Sequence, residues 1–156
     1  MKNAADDLRQ TVDSAYSRLI AIDDDKAGMS RSAGKWSPRE VIGHLIDSAI
    51  NNHGRLVRAR LGDDMVFPGY EQDAWVKVQG YSDRHWMELV ELWRMLNSHI
   101  AHAIETIPPS DATRMRRHHN LDQIAWRTVP ADQPVTLEYF VRDYVAHMKH
   151  HLSQIP

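Results

Sequence analysis

Not one cysteine occurs among the 156 residues. Disulfide staples and thiolate metal sites are both excluded, and any metal centre must be built from histidine and carboxylate. Nor does any apolar run approach the ~18–20 residues that a membrane span needs. The opening stretch from Met1 to Asp7 is acidic and has no apolar signal core, so a soluble, cytoplasmic protein is expected. The formal net charge of −2 offers little to a polyanion, which argues against nucleic acid as the main partner. No segment shows a convincing strand alternation, and no internal repeat or low-complexity tract is evident. A chain of 156 residues suits one domain over its whole length, long enough to bury its own core.

Histidine, by contrast, is abundant: ten residues, unevenly spread. The segment from Thr136 to Ile155 reads as a helix capped by Thr136, and it places His147 and His151 four apart. That spacing stacks two side chains on one helical face, about 5–6 Å apart at Cβ. Two such imidazoles can share one metal ion, but an open catalytic centre commonly takes three protein ligands and leaves a position for water or substrate. A third ligand must come from elsewhere in the chain.

Three further amphipathic helices are predicted. Leu8, Val12, Ala15, Leu19 and Ile22 recur at helical steps and place a helix over roughly residues 4–22. Ser37, Pro38 and Glu40 form an N-terminal signature of cap, first-turn proline and capping box, with Trp36 expected to staple onto Val41. That helix runs to Leu61 and stops at Gly62, with His44 at the border of its apolar face. Taken alone, His44 reads as an ordinary partly buried histidine. A third long helix is expected to begin near Ser82 or Asp83 and to end at Pro108–Pro109. His99 and His102 fall beside its stripe and are not read as ligands.

Two long connections separate these helices. Residues 63–81 are rich in large apolar side chains, with a short helix expected from Glu71 to Val78 and closed by Gly80. They are read as a crossover pinned by its aromatics in preference to a lid or pocket wall. Residues 110–135 hold a basic cluster of Arg114, Arg116, Arg117, His118 and His119, expected as a solvated or anion-facing loop, anchored by Leu121, Ile124 and Trp126. Four amphipathic helices predict an all-α bundle. His44 stands about 10 Å from the start of its helix, and His147 and His151 roughly 6–12 Å from the end of theirs. Antiparallel pairing of those two helices would bring the three to one level, and it requires a long crossover somewhere in the bundle.

The block Gly34-Lys35-Trp36-Ser37-Pro38-Arg39-Glu40-Val41-Ile42-Gly43-His44-Leu45-Ile46-Asp47 and the ending from Tyr144 to Ile155 resemble the signatures of the DinB/YfiT-like metalloenzymes. The resemblance implies a four-helix bundle of up-down-down-up order with the crossover between the second and third long helices. It implies a divalent metal, zinc or nickel, on His44, His147 and His151, and a homodimer. It also implies chemistry of the kind seen in thiol-dependent transferases and isomerases of that family, which use bacillithiol, mycothiol or glutathione.

A divalent ion on three neutral imidazoles would bring bound water toward pKa ~7 and ionise a bound thiol. Thiol transfer to a small electrophile is the leading expectation, with a low-molecular-weight thiol as cosubstrate because the chain has none. Metal-dependent hydrolysis, or a non-catalytic dimeric bundle with a structural metal, are the alternatives. Asp47 is a candidate to orient a ligand, Glu40 is assigned to the capping box, His150 is expected to face solvent, and no general base is named. The Glu-x-x-His and HExxH patterns of di-iron bundles and zinc proteases are absent.

Overall fold

Four amphipathic stripes must bury one another, and a computed structural model describing residues 1–156 gives the solution the chain adopts. The elements in order are α1 (Lys2–Leu19), α2 (Asp24–Ala27), α3 (Pro38–Leu61), α4 (Gln72–Gln79), a 3-10 turn (Tyr81–Asp83), α5 (Trp86–Glu105), α6 (Pro109–Thr113), α7 (Leu121–Ile124) and α8 (Leu137–Leu152). The long helices α1, α3, α5 and α8 form the bundle. There is no strand. Val135 makes only a single bridge to Arg116, and Met65 another to His119.

Side-chain pairings give the helix directions. Tyr16 donates to Glu91 at 2.6 Å and Arg9 pairs with Glu105, so α1 and α5 are antiparallel. The His53 and His99 rings lie 5.1 Å apart, and Arg60 reaches Thr106 at 3.0 Å, so α3 and α5 are parallel. His44 faces His151 and Ser48 faces His147, so α3 and α8 are antiparallel. The order is up-down-down-up, and the segment between α3 and α5 is the crossover that makes it possible. This is the arrangement that the family resemblance implies.

Local chemistry sets the ends of the helices that matter. At the start of α3 the Ser37 side chain accepts from the Glu40 N–H, while Glu40 accepts from the Ser37 N–H at 2.8 Å. Both partners of the capping box are therefore satisfied, at a position worth about 1 kcal/mol. Thr136 caps α8 by accepting from the Tyr139 N–H at 3.1 Å.

The start of α5 differs from expectation. Ser82 and Asp83 are used in the 3-10 turn, and the helix begins at Trp86. Its first N–H donates to the Asp24 carboxylate at 2.8 Å, and the Trp86 indole donates to the Leu19 carbonyl at 3.0 Å. The cap is supplied from α2, across space. The first helix also ends three residues early, at Leu19, with Ile22 packed against the core from the turn that follows.

The crossover is held by Asn120. Its carboxamide oxygen accepts from the Phe67 N–H at 3.0 Å and its amide donates to the Phe67 carbonyl at 2.8 Å. Met65, Phe67, Val76 and Tyr81 are buried in the common core.

Arg114, Arg117 and His118 of the basic cluster are exposed, as a solvated or anion-facing loop requires, but Arg116 and His119 are not. Arg116 is 2% exposed and donates to the Ala59 carbonyl and the Asp111 carboxylate. His119 is also buried, accepting from the Leu121 N–H on Nδ1 and donating from Nε2 to the Gln133 carbonyl. Arg114 and His118 are paired with Asp63 and Asp64. These contacts tie the second connection to the first. No helix is long and apolar enough to cross a membrane.

Candidate metal centre

The antiparallel contact of α3 and α8 brings His44, His147 and His151 together. One ring nitrogen from each lies within 4.8 Å of the other two. Nε2 of His44 is 3.2 Å from Nε2 of His147. Two nitrogens bound at ~2.0–2.1 Å to one tetrahedral ion would stand about 3.3 Å apart, so this pair already has the spacing of two ligands on one ion. His44 and His151 are 1% and 7% exposed, and His147 is half-buried.

Burial pushes His44 and His147 down to about 3, with the neighbouring imidazoles adding to the shift, and it lowers His151 as well. Three neutral imidazoles are the ligating form. The buried Nδ1 atoms of His44 and His151 have no protein partner. No carboxylate belongs to this cluster. His99 and His102 belong to no such cluster either; both are exposed, and His99 stacks against His53.

Several neighbours shape the site in ways the sequence did not reveal. Ser48, one turn beyond His44, places its Oγ 3.4 Å from Nδ1 of His147. The spacing of four from His44 was the available signal. Trp36, expected as a staple, packs on the His44 ring at 5.0 Å and lies 6.2 Å from His151.

Trp126, expected as a loop anchor, remains 45% exposed and covers the other side, 5.6 Å from the His147 ring and 4.5 Å from that of His150. Its backbone is latched to α8: the N–H groups of Trp126 and Arg127 each donate to the Asp143 carboxylate at 2.8 Å. His150 is exposed, as its helical phase implies.

Asp47 does not orient a ligand. Its carboxylate accepts from the Tyr81 hydroxyl at 2.7 Å and from the Gln79 amide, and makes no hydrogen bond to the three imidazoles. It fastens the end of the crossover to α3. Gly43 allows that approach, because the Tyr81 ring occupies the place a Cβ would take.

The imidazoles open on a cavity of about 620 Å³. Its walls include Ser48, Asn52 and Arg55 of α3, Tyr70 of the crossover, Trp126, and Tyr144 of α8. The crossover therefore serves as a pocket wall as well as being pinned by its aromatics. Tyr144 is fixed by donating its hydroxyl to Asn97 of α5.

The lowered histidines make a prediction for the metal-free protein. Their ordinary value is 6.5 and the folded value about 3 for two of them. Between those pH values the unfolded chain takes up protons that the folded chain refuses, so stability falls as pH falls below 6.5. The slope reaches up to ~1.4 kcal/mol per pH unit for each histidine. Burial raises Asp47 and Asp143 from 3.8, which acts in the opposite sense at lower pH. Urea midpoints of chelator-treated protein are expected to drop clearly between pH 7 and 5.5, and the drop to shrink in a His44→Gln/His147→Gln double variant.

A helical bundle with three convergent neutral imidazoles facing a cavity open to solvent defines the class: a metal-ready bundle with an open face. The chain belongs to the DinB superfamily, whose sequence profile matches residues 4–155. A protein of Oceanobacillus iheyensis provisionally named a metal-dependent hydrolase is 25% identical over 137 residues, covering 88% of this chain and 73% of that one. A second, from Halalkalibacterium halodurans with the same provisional name, is 23% identical over 140 residues, 90% of this chain and 75% of that one.

Among solved structures, YfiT from Bacillus subtilis superposes with a TM-score of 0.79 at 19% identity, over 98% of this chain and 82% of that one. It is described as a metal-dependent hydrolase by inference, with an unusual four-helix bundle topology. A mycothiol-dependent maleylpyruvate isomerase superposes with a TM-score of 0.69 at 15% identity. The match covers 98% of this chain but 59% of the isomerase.

Proposed function

We propose that His44, His147 and His151 hold one divalent metal ion and that the chain is a metal-dependent enzyme acting on a small molecule. The observation that carries this reading is the convergence of three neutral imidazoles, two buried and one half-buried, from two antiparallel helices onto a cavity able to admit a ligand. Three imidazoles without a carboxylate suit zinc or nickel better than magnesium or calcium. When bound, such an ion supplies Lewis-acid activation of a thiol or of water at its remaining position.

The chain's own residues do the rest. Trp36 and Trp126 pack against the imidazoles and limit water there. Ser48 orients the His147 ring through Nδ1, and such partners hold ligand geometry. Tyr70 and Tyr144 bound the substrate space.

The carboxylates near the site favour thiol transfer over hydrolysis. Asp143 is committed to two backbone N–H groups and Asp47 to Tyr81 and Gln79, while Glu71 lines the cavity but is exposed and makes no hydrogen bond to the imidazoles. Activation of water benefits from a positioned general base. A thiol bound to such an ion would release its proton to solvent before the bond-forming step, and it would come from a low-molecular-weight cosubstrate. Hydrolysis is the second reading, supported by the provisional names of the two curated relatives. A homodimer belongs to the same proposal, and mass measurement by light scattering tests it.

Elemental analysis of protein purified without a histidine tag is expected to find about one divalent ion per chain. Metal-dependent consumption of a thiol by a small electrophile is the expected activity. Turnover of amides or esters alone would favour the hydrolase. An ion whose positions are all filled by protein, with no turnover in either screen, would leave a structural metal in a ligand-binding bundle.

A further inference from the structure

The stripe of α3 that begins at the candidate metal centre continues along the cavity. His44, Ser48, Asn52 and Arg55 follow one another at offsets of 4, 8 and 11 from His44, and all four line the cavity. Eleven residues are close to three full turns, so Arg55 lies on the face of His44, about 16 Å along the axis. Helical side chains lean toward the N-terminus, His44 and Arg55 alike, so the longer arginine closes that separation only in part.

Arg55 is unusual in what it lacks. It is 5% exposed and forms no ion pair with any carboxylate. One of its N–H groups donates to the Pro68 carbonyl at 2.8 Å, and the other four donors have no protein acceptor. The Tyr70 ring lies beneath it at 6.0 Å, the outer limit of a cation–π contact.

The other buried arginine of the chain is treated differently. Arg116 has a carboxylate, Asp111, and three backbone carbonyls. A buried cation without a counter-ion is costly, and structural arginines are normally paired. Arg55 is also the only arginine or lysine lining the cavity.

We infer that Arg55 receives a carboxylate of the substrate or thiol cosubstrate, so that the site takes acidic small molecules whose reacting atom lies along the cavity from that carboxylate, toward the imidazoles. The inference rests on the metal-enzyme reading for where the reacting atom sits. The planar fork of the guanidinium accepts a carboxylate through two parallel hydrogen bonds. Asp143 and Glu71 line the same cavity as this single cation, which favours a monoanionic carboxylate over a dianionic phosphate.

The test uses ω-mercaptocarboxylates with three to eight methylenes, and their neutral amides, on cobalt-loaded protein. The thiolate-to-cobalt absorption band reports the sulfur, and the titration gives Kd. Wild-type protein is expected to bind the best acid at least ~10-fold more tightly than its amide, with an optimum chain length. Arg55→Met is expected to abolish that preference while keeping one metal ion per chain, and Arg55→Lys to keep part of it. A preference that survives in Arg55→Met, because the acid sits on the metal, overturns the inference, as does the absence of any preference in wild type.

Hexanoate and hexanamide titrated on chelator-treated protein read Arg55 without metal. Preference for hexanoate there, lost in Arg55→Met, upholds the anion site even if the metal reading fails. Equal binding of the two by wild type counts against it.

Discussion

His147→Ala is expected to lose metal binding by more than ~100-fold and, with it, all metal-dependent turnover, while the chain stays folded. The reasoning is geometric. His147 contributes the Nε2 that stands 3.2 Å from Nε2 of His44, and no carboxylate belongs to the cluster to take its place. Two imidazoles remain, on different helices, and two are fewer than the three protein ligands an open site ordinarily uses.

Ser48→Ala sets the scale. It removes the hydroxyl that lies 3.4 Å from Nδ1 of His147 and accepts from the Asn52 amide at 3.2 Å, and outer partners of this kind are worth about 10–100-fold in affinity or activity. The two variants should therefore fall in a fixed order, with His147→Ala the more severe. Competition against a zinc indicator dye reads both, and urea melts of the metal-free proteins check the fold. Retention of one tightly held ion by His147→Ala would remove the three-histidine centre as the metal site.

The same centre shows which features a linear chain displays and which it hides. The i, i+4 pair on α8, the capping box at Ser37 and the helical stripes depend on neighbours within a turn or two, so spacing alone reveals them. His44 could be matched to that pair once α3 and α8 were taken as antiparallel, because rise per residue fixes its level.

Features made by distant segments stayed hidden. Trp36 reads as a helix staple and Trp126 as a loop anchor, yet both pack on the imidazoles, 5.0 Å from His44 and 5.6 Å from His147. What puts Trp126 there is Asp143, holding two N–H groups of a loop 16 and 17 residues away in sequence. The start of α5 was misplaced for a related reason. Ser82 and Asp83 have good capping chemistry, but the Trp86 N–H is satisfied by Asp24, 62 residues earlier. The basic cluster misled because composition does not say that Arg116 will be buried against Ala59 and Asp111.

Gly43→Ala is expected to be the most damaging single methyl group in the chain, and Gly54→Ala on the same helix provides its control. Alanine is the better helix former by about 1 kcal/mol, so both substitutions should stabilise α3 if propensity decided. At Gly54 the new Cβ meets only the far end of the Arg58 side chain, at 3.0 Å, and that end can move. At Gly43 it would lie 2.2 Å from Cδ2 and 2.3 Å from Cγ of Tyr81. These atoms are at the base of a ring that is 5% exposed and tied by its hydroxyl to Asp47. Relief requires the 3-10 turn to withdraw from α3, which strains the core and breaks a buried hydrogen bond.

Overpacking costs about 1–3 kcal/mol and an unmade buried bond a similar amount. Against the gain in propensity, the net loss is roughly 2–4 kcal/mol, or a fall in Tm of about 5–15 °C for a chain of this size. Gly54→Ala should leave Tm unchanged or slightly raised. Because residue 43 precedes His44, the shift should also weaken metal binding, in a way that Tyr81→Ala partly reverses in the double variant. Thermal melts of the four proteins, with and without zinc, give both numbers. An unchanged Tm in Gly43→Ala would mean that the crossover does not rest on α3 where the Tyr81 ring is placed.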